Sequence, residues 1–221
     1  MIQDELFGCG PDSAIEGWVY EPEFLSCGEE RDLLAVVEAL PLEDMRYKGY
    51  TARRRGISFG GHYDFDANRL NPSAPLPSSL EPLRAKVARW VGIAPEAFTH
   101  VLVAQYRPGT PLGWHRDVPD FELVAGVSLL NAAAIQFRPY PPPAPGRSGA
   151  AARLELVVAP RSIYLMRGPA RWQWQHRVLA TEALRYSVTL RTPVRGKRAR
   201  TWPQPARVAD PSRSSLGPSQ P

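Results

Sequence analysis

Four histidines occur in the chain, His62, His100, His115 and His176, and one of them stands two residues before a carboxylate, in His115-Arg116-Asp117. In a strand, or at a strand end, positions i and i+2 point to the same side. His115 and Asp117 could therefore grip one ion. The pattern alone is also that of a surface charge pair. The run Gly109-Thr110-Pro111-Leu112-Gly113-Trp114 reads as a turn that delivers His115 to the next element. A second histidine, His176, lies downstream at the edge of an apolar strand. Two histidines and one carboxylate on one face form the facial arrangement suited to a non-haem iron(II) oxygenase. That set leaves coordination positions open for O₂ and a co-substrate. We therefore expect His115, Asp117 and His176 to be the metal ligands and the catalytic centre.

The segment Leu184-Arg185-Tyr186-Ser187-Val188-Thr189-Leu190-Arg191-Thr192 alternates in character. Arg185, Ser187, Thr189 and Arg191 share one face, and Tyr186, Val188 and Leu190 share the other. An edge strand with its polar face in water would show this pattern. If the face is buried, two guanidinium groups need a partner. An anion supplies one. A dicarboxylate that chelates a metal at one end requires such a guanidinium at the other.

The order His115-x-Asp117, then His176, then Arg185-Tyr186-Ser187-x-Thr189-x-Arg191 resembles the AlkB-type 2-oxoglutarate/iron(II) dioxygenases. Gln105-Tyr106-Arg107-Pro108-Gly109 before the first ligand and Gly126-Val127-Ser128-Leu129 after it fit the same pattern. The resemblance covers roughly Arg53 to Thr192, and its specific part begins near Val101. It implies a double-stranded β-helix, or jelly-roll, with iron(II), 2-oxoglutarate and O₂ as the reacting partners. It implies that Arg185 pairs with the distal carboxylate of 2-oxoglutarate, assisted by Tyr106, and that Arg191 lies near the metal end. Many members carry asparagine where this chain has Ala104 and Ser187, so Gln105 or Ser187 is expected to serve the co-substrate instead. The activity implied is oxidative dealkylation: hydroxylation of a C–H bond, then loss of formaldehyde from the N-hydroxymethyl product. For nucleic-acid substrates this is repair by demethylation.

The elements that must hold these residues fall into two halves. Ser26 and Glu29 form a capping-box pattern, followed by Leu33, Leu34, Val37 and Leu40 at helical spacing. A second helix is expected from Ser78 or Ser79, with Leu83, Val87, Trp90 and Val91 on one face and a stop at Gly92. A short helical turn follows at Pro95 to Phe98. Later come short segments rich in Val, Ile, Leu, Phe or Tyr: His100 to Tyr106, Val124 to Leu130, Ala134 to Arg138, Leu154 to Val158, Ile163 to Met166 and Tyr186 to Thr192. The fold class expected is mainly β with flanking helices (α+β), a sandwich whose two sheets enclose a cavity.

Residues 1–193 are expected to form the oxygenase domain, and 194–221 a disordered basic tail rich in Pro, Ser and Arg. The formal net charge of +5 arises in that tail, which carries six basic residues against Asp210, whereas the first 193 residues balance 21 against 21. Global charge therefore gives no support for a basic stripe on the body. The proline-rich run Pro139 to Gly146 reads as a loop. No apolar run approaches the roughly 20 residues needed to cross a bilayer, and the acidic start Met1-Ile2-Gln3-Asp4-Glu5, with no long apolar run behind it, argues against a secretory signal. Two cysteines, Cys9 and Cys27, exclude a disulfide framework. A cytoplasmic location is expected, with no membrane and no obligate protein partner.

Substrate recognition is expected from Arg46 to Phe65, where basic and aromatic residues interleave. Arg53, Arg55, Phe59 and Tyr63 could hold phosphate and stack on an extruded base. The same aromatics could instead pack on the core with the arginines in water. Trp114 is expected in the cavity wall, Trp172 and Trp174 in the core or, as the alternative, at the mouth of the site, His100 in a structural role, and His62 outside the metal set. Alkylated DNA or RNA is the expected partner. The alternatives are an oxygenase acting on protein side chains or a small metabolite, and a metal-binding β-sandwich without oxidation.

Overall fold

The computed structural model describes residues 15–47, 50–64, 67, 69–142 and 153–194. The expected tail from 195 onward, Cys9, Phe65 and residues 143–146 of the Pro-rich run lie outside them. Among the described residues no helix is long and apolar enough to cross a membrane.

The chain begins with β1 (Trp18–Glu21) and α1 (Cys27–Glu38). The Ser26 hydroxyl accepts from the Glu29 amide, and the Glu29 carboxylate accepts from the Ser26 amide, closing the capping box. This satisfies two donors that every helix start leaves open. Then come β2 (Glu43–Tyr47), β3 (Tyr50–Phe59) and a small hairpin of β4 (His62–Asp64) and β5 (Arg69–Asn71). A 3-10 turn over Ser78–Leu80 leads into α2 (Glu81–Val91). Gly92 ends α2 at φ 79°, a left-handed position where glycine carries no Cβ penalty.

The second half is β6 (His100–Tyr106), β7 (Leu112–His115), β8 (Phe121–Leu129), β9 (Ala133–Pro139), β10 (Leu154–Val158), β11 (Ile163–Met166), the short helix α3 (Gly168–Trp172), β12 (Trp174–Val178) and β13 (Arg185–Pro193). Seven strands form the large sheet in the order β1-β11-β8-β13-β6-β3-β2, and four form the small sheet in the order β10-β9-β12-β7. All pairings are antiparallel. Together the two sheets make a jelly-roll core.

Strand alternation divides the apolar residues between two layers. Val101, Val103, Ala125, Val127, Leu129, Tyr186, Val188 and Leu190 face Leu33 and Val37 of α1 and Leu83 and Val87 of α2. The second layer, between the sheets, contains Trp18, Val124, Ile135, Phe137, Tyr164, Met166 and Val178. The face of β13 opposite Tyr186, Val188 and Leu190 thus turns toward the small sheet. It carries Arg185, Ser187, Thr189 and Arg191.

Candidate active site

His115 and His176 are register partners on the adjacent strands β7 and β12, so they project from the same face side by side. Their ring centroids are 4.2 Å apart. β7 ends at His115, and Asp117 follows in the next loop, its Oδ2 3.8 Å from His176 Nε2. One ligand atom from each of His115, Asp117 and His176 falls within 4.8 Å of the other two. His115 Nδ1 lies 2.8 Å from the Gly113 carbonyl. Donation from Nδ1 to that oxygen leaves Nε2 as a lone-pair donor.

The Asp117 loop is fixed from α3. Buried Arg171 donates to the carbonyls of Phe121 (3.1 Å), Asp117 (3.1 Å) and Val118 (2.6 Å). The Asp117 carboxylate is held from β13, where Arg191 Nη2 and Nε donate to Oδ1 at 2.7 and 2.9 Å. Arg191 Nη1 also meets His100 Nδ1 at 3.3 Å. His100 is thus a buried acceptor in the support of the site, while His62 is exposed and outside the group.

Burial opposes ionisation of Asp117, yet the charges of Arg191, His176, Arg171 and His115 win and hold its carboxyl well below the usual range. Burial first, and then the His115 charge, lower His176 to about 3. Burial likewise lowers His115. Near neutral pH the three side chains offer one anionic oxygen and two neutral imidazole nitrogens, a donor set that fits iron(II). Burial, and after it the Arg191 charge, lower His100 to about 3.

These depressed values fix a pH dependence. Between about 3 and the ordinary histidine value, the unfolded chain binds protons that the native protein does not. Stability is therefore full above about pH 6.5 and falls as the pH drops below it. We expect the metal-free protein to melt at a lower temperature at pH 5.5 than at pH 7.5. His100→Asn should reduce this difference. An equal or higher melting temperature at pH 5.5 would contradict the buried neutral histidines.

Behind the triad lies a polar trough on the inner face of the large sheet. Arg185 is 1% exposed. Its Nε donates to Ser128 Oγ at 3.0 Å, and its guanidinium carbon lies 5.2 Å from the centroid of the Tyr106 ring, on its register partner. The next level of the register aligns Ala104, Ser187 and Ser128, and the level beyond aligns Leu102, Thr189 and Gly126. Ser187 Oγ and Thr189 Oγ1 are 3.5 Å apart. Arg191 closes the far end at Asp117. Apart from Leu102, the floor is thus made of small side chains, with a guanidinium at either end. Among the described residues Arg185 has no carboxylate partner. A buried cation of this kind is costly unless an anion joins it, and a dicarboxylate fits the row. Tyr106, Arg185, Ser187 and Arg191 all line this trough. Gln105 does not: it lies on the helix side, where its Nε2 donates to the Tyr186 hydroxyl at 2.9 Å.

The substrate segment departs from expectation. Phe59 is 6% exposed and packs in the helix-side layer, because its register partner is Val101 on the outer face. Arg55 shares that face. It is bonded to the Leu42 carbonyl and lies 3.9 Å from Asp44. Arg53 is exposed. None of these three turns toward the triad. Tyr63 is half-buried; burial, and then the charge of Asp120, raise its pKa, which places it beside the loop after Asp117. The arginine that does act on the site is Arg54. Its charge lowers the pKa of His115, and its Nε is buried without a hydrogen-bond partner among the described residues. Arg54 adjoins Arg55 in β3 and so takes the opposite, inner face, a choice that becomes visible only once the pairing of β3 with β6 shows which face meets the site.

Trp114 is not in the cavity wall. It adjoins His115 on β7 and points to the other face, where Arg138 and Arg177 lie 4.4 and 4.9 Å from its ring. Trp174 is partly buried against the inter-sheet layer. Trp172, half-buried, donates its Nε1 to Glu122 at 3.1 Å. Phe137, 5.9 Å from His176, is the aromatic that walls the metal site from the small sheet.

Residues 48–198 match the 2OG-Fe(II) oxygenase superfamily in sequence. A comparison with curated proteins gives no match. Among solved structures the chain is similar to OsALKBH1, with 14% identity and a TM-score of 0.60 over 80% of this chain and 96% of that one. It is similar to an oxidoreductase of the 2OG-Fe(II) oxygenase family from Burkholderia pseudomallei, with 18% identity and a TM-score of 0.56 over 80% and 85%. A prolyl-4-hydroxylase from Pseudomonas putida aligns with 14% identity and a TM-score of 0.55 over 80% and 93%. At these identities the structural likeness establishes the jelly-roll, and the sequence match over most of the chain establishes the family. The chain belongs to the 2OG-Fe(II) oxygenase superfamily and is a 2-oxoglutarate-dependent iron(II) dioxygenase.

Proposed function

We propose that residues 1–193 form an AlkB-type dealkylase of alkylated nucleic-acid bases, working in a reducing cytoplasm, and that 194–221 is an appendage to it. In this reading His115, Asp117 and His176 hold iron(II), and Tyr106, Arg185, Ser187 and Arg191 hold 2-oxoglutarate. When bound, iron(II) with 2-oxoglutarate and O₂ supplies the hydroxylation of a substrate C–H bond, with succinate and CO₂ as co-products. The protein's part is position and exclusion of water. Arg191 keeps Asp117 ionised and oriented, Arg171 fixes the backbone that carries it, and Phe137 shields His176.

The observation that carries the substrate reading is Arg54, whose charge lowers the His115 pKa and whose buried Nε has no hydrogen-bond partner among the described residues. Such a group asks for an anion on the substrate. A phosphodiester next to an N-alkylated base supplies one, and Tyr63, whose pKa is raised by burial and then by the charge of Asp120 in the loop after Asp117, offers an aromatic face. Formaldehyde release from N-methylated single-stranded oligonucleotides is the test. We expect turnover, and in Arg54→Ala about a tenfold rise in oligonucleotide KM with kcat little changed, the loss of one charge-assisted hydrogen bond. No turnover on single- or double-stranded DNA or RNA, with succinate formed when peptides or a metabolite pool are supplied, would select the alternative of an oxygenase acting on protein side chains or a small metabolite.

A further inference from the structure

Tyr164 enters the trough from two strands away. Its register partner is Gly126 on β8, and Gly126 in turn faces Thr189 on β13. The inner face of β8 carries Val124, Gly126 and Ser128, and only the glycine leaves the surface bare. A Cβ built on Gly126 would collide with Cζ, Cε1 and the hydroxyl of Tyr164. The tyrosine thus lies across the glycine and does not stand up from its own strand. Trp18 stacks on the ring at 4.9 Å and 13°, holding it down. Because β8 lies between β11 and β13, this posture aims the hydroxyl at the level of Thr189, between Arg185 and Arg191. Tyr164 is 8% exposed. Its neighbours in charge are Arg185, Asp117, Tyr106 and Arg191, from both ends of the trough. The hydroxyls of Tyr20 and Tyr186 bond Ala159 and Gln105. Among the described residues none bonds that of Tyr164.

We propose that Tyr164 is a positioning residue for 2-oxoglutarate, donating its hydroxyl hydrogen bond to the co-substrate between the two arginines. The proposal rests on the assignment of the trough to 2-oxoglutarate. Leu102 and Ala104, which line the β6 side of the same levels, offer no hydrogen bond. Two guanidinium groups supply charge at the ends, and a neutral donor in the middle supplies orientation. Burial keeps the phenol protonated, with its pKa raised to about 12, so the hydroxyl remains a donor throughout the physiological range. The pairing of a bare glycine with a flattened tyrosine accounts for Gly126 as the notch that admits the ring.

Tyr164→Phe keeps the ring and its stacking on Trp18 and removes only the hydroxyl. Calorimetric titration of the anaerobic, iron(II)-loaded protein with 2-oxoglutarate reads the effect without turnover. We expect binding about tenfold weaker, as for one hydrogen bond to a charged group, with iron(II) affinity and the melting temperature without co-substrate unchanged. Unchanged 2-oxoglutarate affinity in Tyr164→Phe, beside a large loss in Arg185→Ala, overturns the role of Tyr164 and leaves the trough standing. No loss in either variant overturns both. Gly126→Ala should push the ring aside and weaken both co-substrate binding and stability. Tyr164→Leu in that background should restore the melting temperature but not the affinity. Restored affinity would show that the ring only crowds the trough, against the proposal.

Discussion

Asp117→Ala abolishes detectable turnover and weakens iron(II) binding by more than about a hundredfold, the first of the two largest effects expected. The variant removes the only anionic oxygen among the three donors. Loss of partners that merely orient a ligand costs about 10–100-fold in metal affinity, so loss of the charged ligand itself costs more. It also strands Arg191, which gives Asp117 two hydrogen bonds from an almost buried position. Breaking a buried ion pair on one side costs about 3–5 kcal/mol, so the metal-free variant should melt well below the parent. His115→Ala separates the two consequences. His115 is half-buried and, among the described residues, hydrogen-bonds only the Gly113 carbonyl of its own turn. That variant should lose iron and turnover with a smaller change in melting temperature. Turnover retained in either would remove the residue from the triad.

Arg185→Ala raises the dissociation constant of 2-oxoglutarate by about a hundredfold and leaves iron(II) affinity nearly intact. Truncating a buried, hydrogen-bonded charge partner costs about 2–5 kcal/mol of binding, and a hundredfold loss is about 2.7 kcal/mol. Stability offers a second readout. Without co-substrate, Arg185 is a buried cation whose described neighbours are the Ser128 hydroxyl and the Tyr106 and Tyr164 phenols. Its removal relieves a desolvation cost and offsets the packing lost. The variant alone should therefore melt close to the parent. Excess 2-oxoglutarate should raise the melting temperature of the iron(II)-loaded parent by mass action and fail to do so in the variant. An equal rise in both would place the anion elsewhere.

Much of this site was legible because it rests on the period of a strand. Alternation in Arg185 to Arg191 separates the trough face from the helix-side core, and the structure keeps that division along the whole segment. His100 to Tyr106, Leu154 to Val158 and Ile163 to Met166 match their strands end for end, since each is a short segment dominated by Val, Leu, Ile, Met or Tyr. The Ser26 cap and the Gly92 stop were legible for the same local reason. What escaped depends on contacts distant in sequence. Arg171 sits in a helix of five residues, too short to show a period, and its role comes from carbonyls about fifty positions away. Arg54 faces opposite Arg55 by alternation, but only the pairing of β3 with β6 reveals which of the two faces meets the site. Tyr164 lies inside a correctly bounded strand, but only the bare Gly126 beside it reveals where its hydroxyl goes. Trp114, expected in the cavity because it adjoins His115, points outward because adjacent residues of a strand face opposite ways.

In the reading proposed above, His115, Asp117 and His176 hold iron(II) while the trough ending in Arg185 holds 2-oxoglutarate against it. The most direct test is an anaerobic titration of the iron(II)-loaded protein with 2-oxoglutarate, following the weak visible metal-to-ligand band of the chelate. The band should grow to saturation in the parent, need about a hundredfold more 2-oxoglutarate in Arg185→Ala, and be absent in Asp117→Ala. A protein that binds iron(II) but develops no band would contradict that reading, as would a band that saturates equally in the parent and in Arg185→Ala.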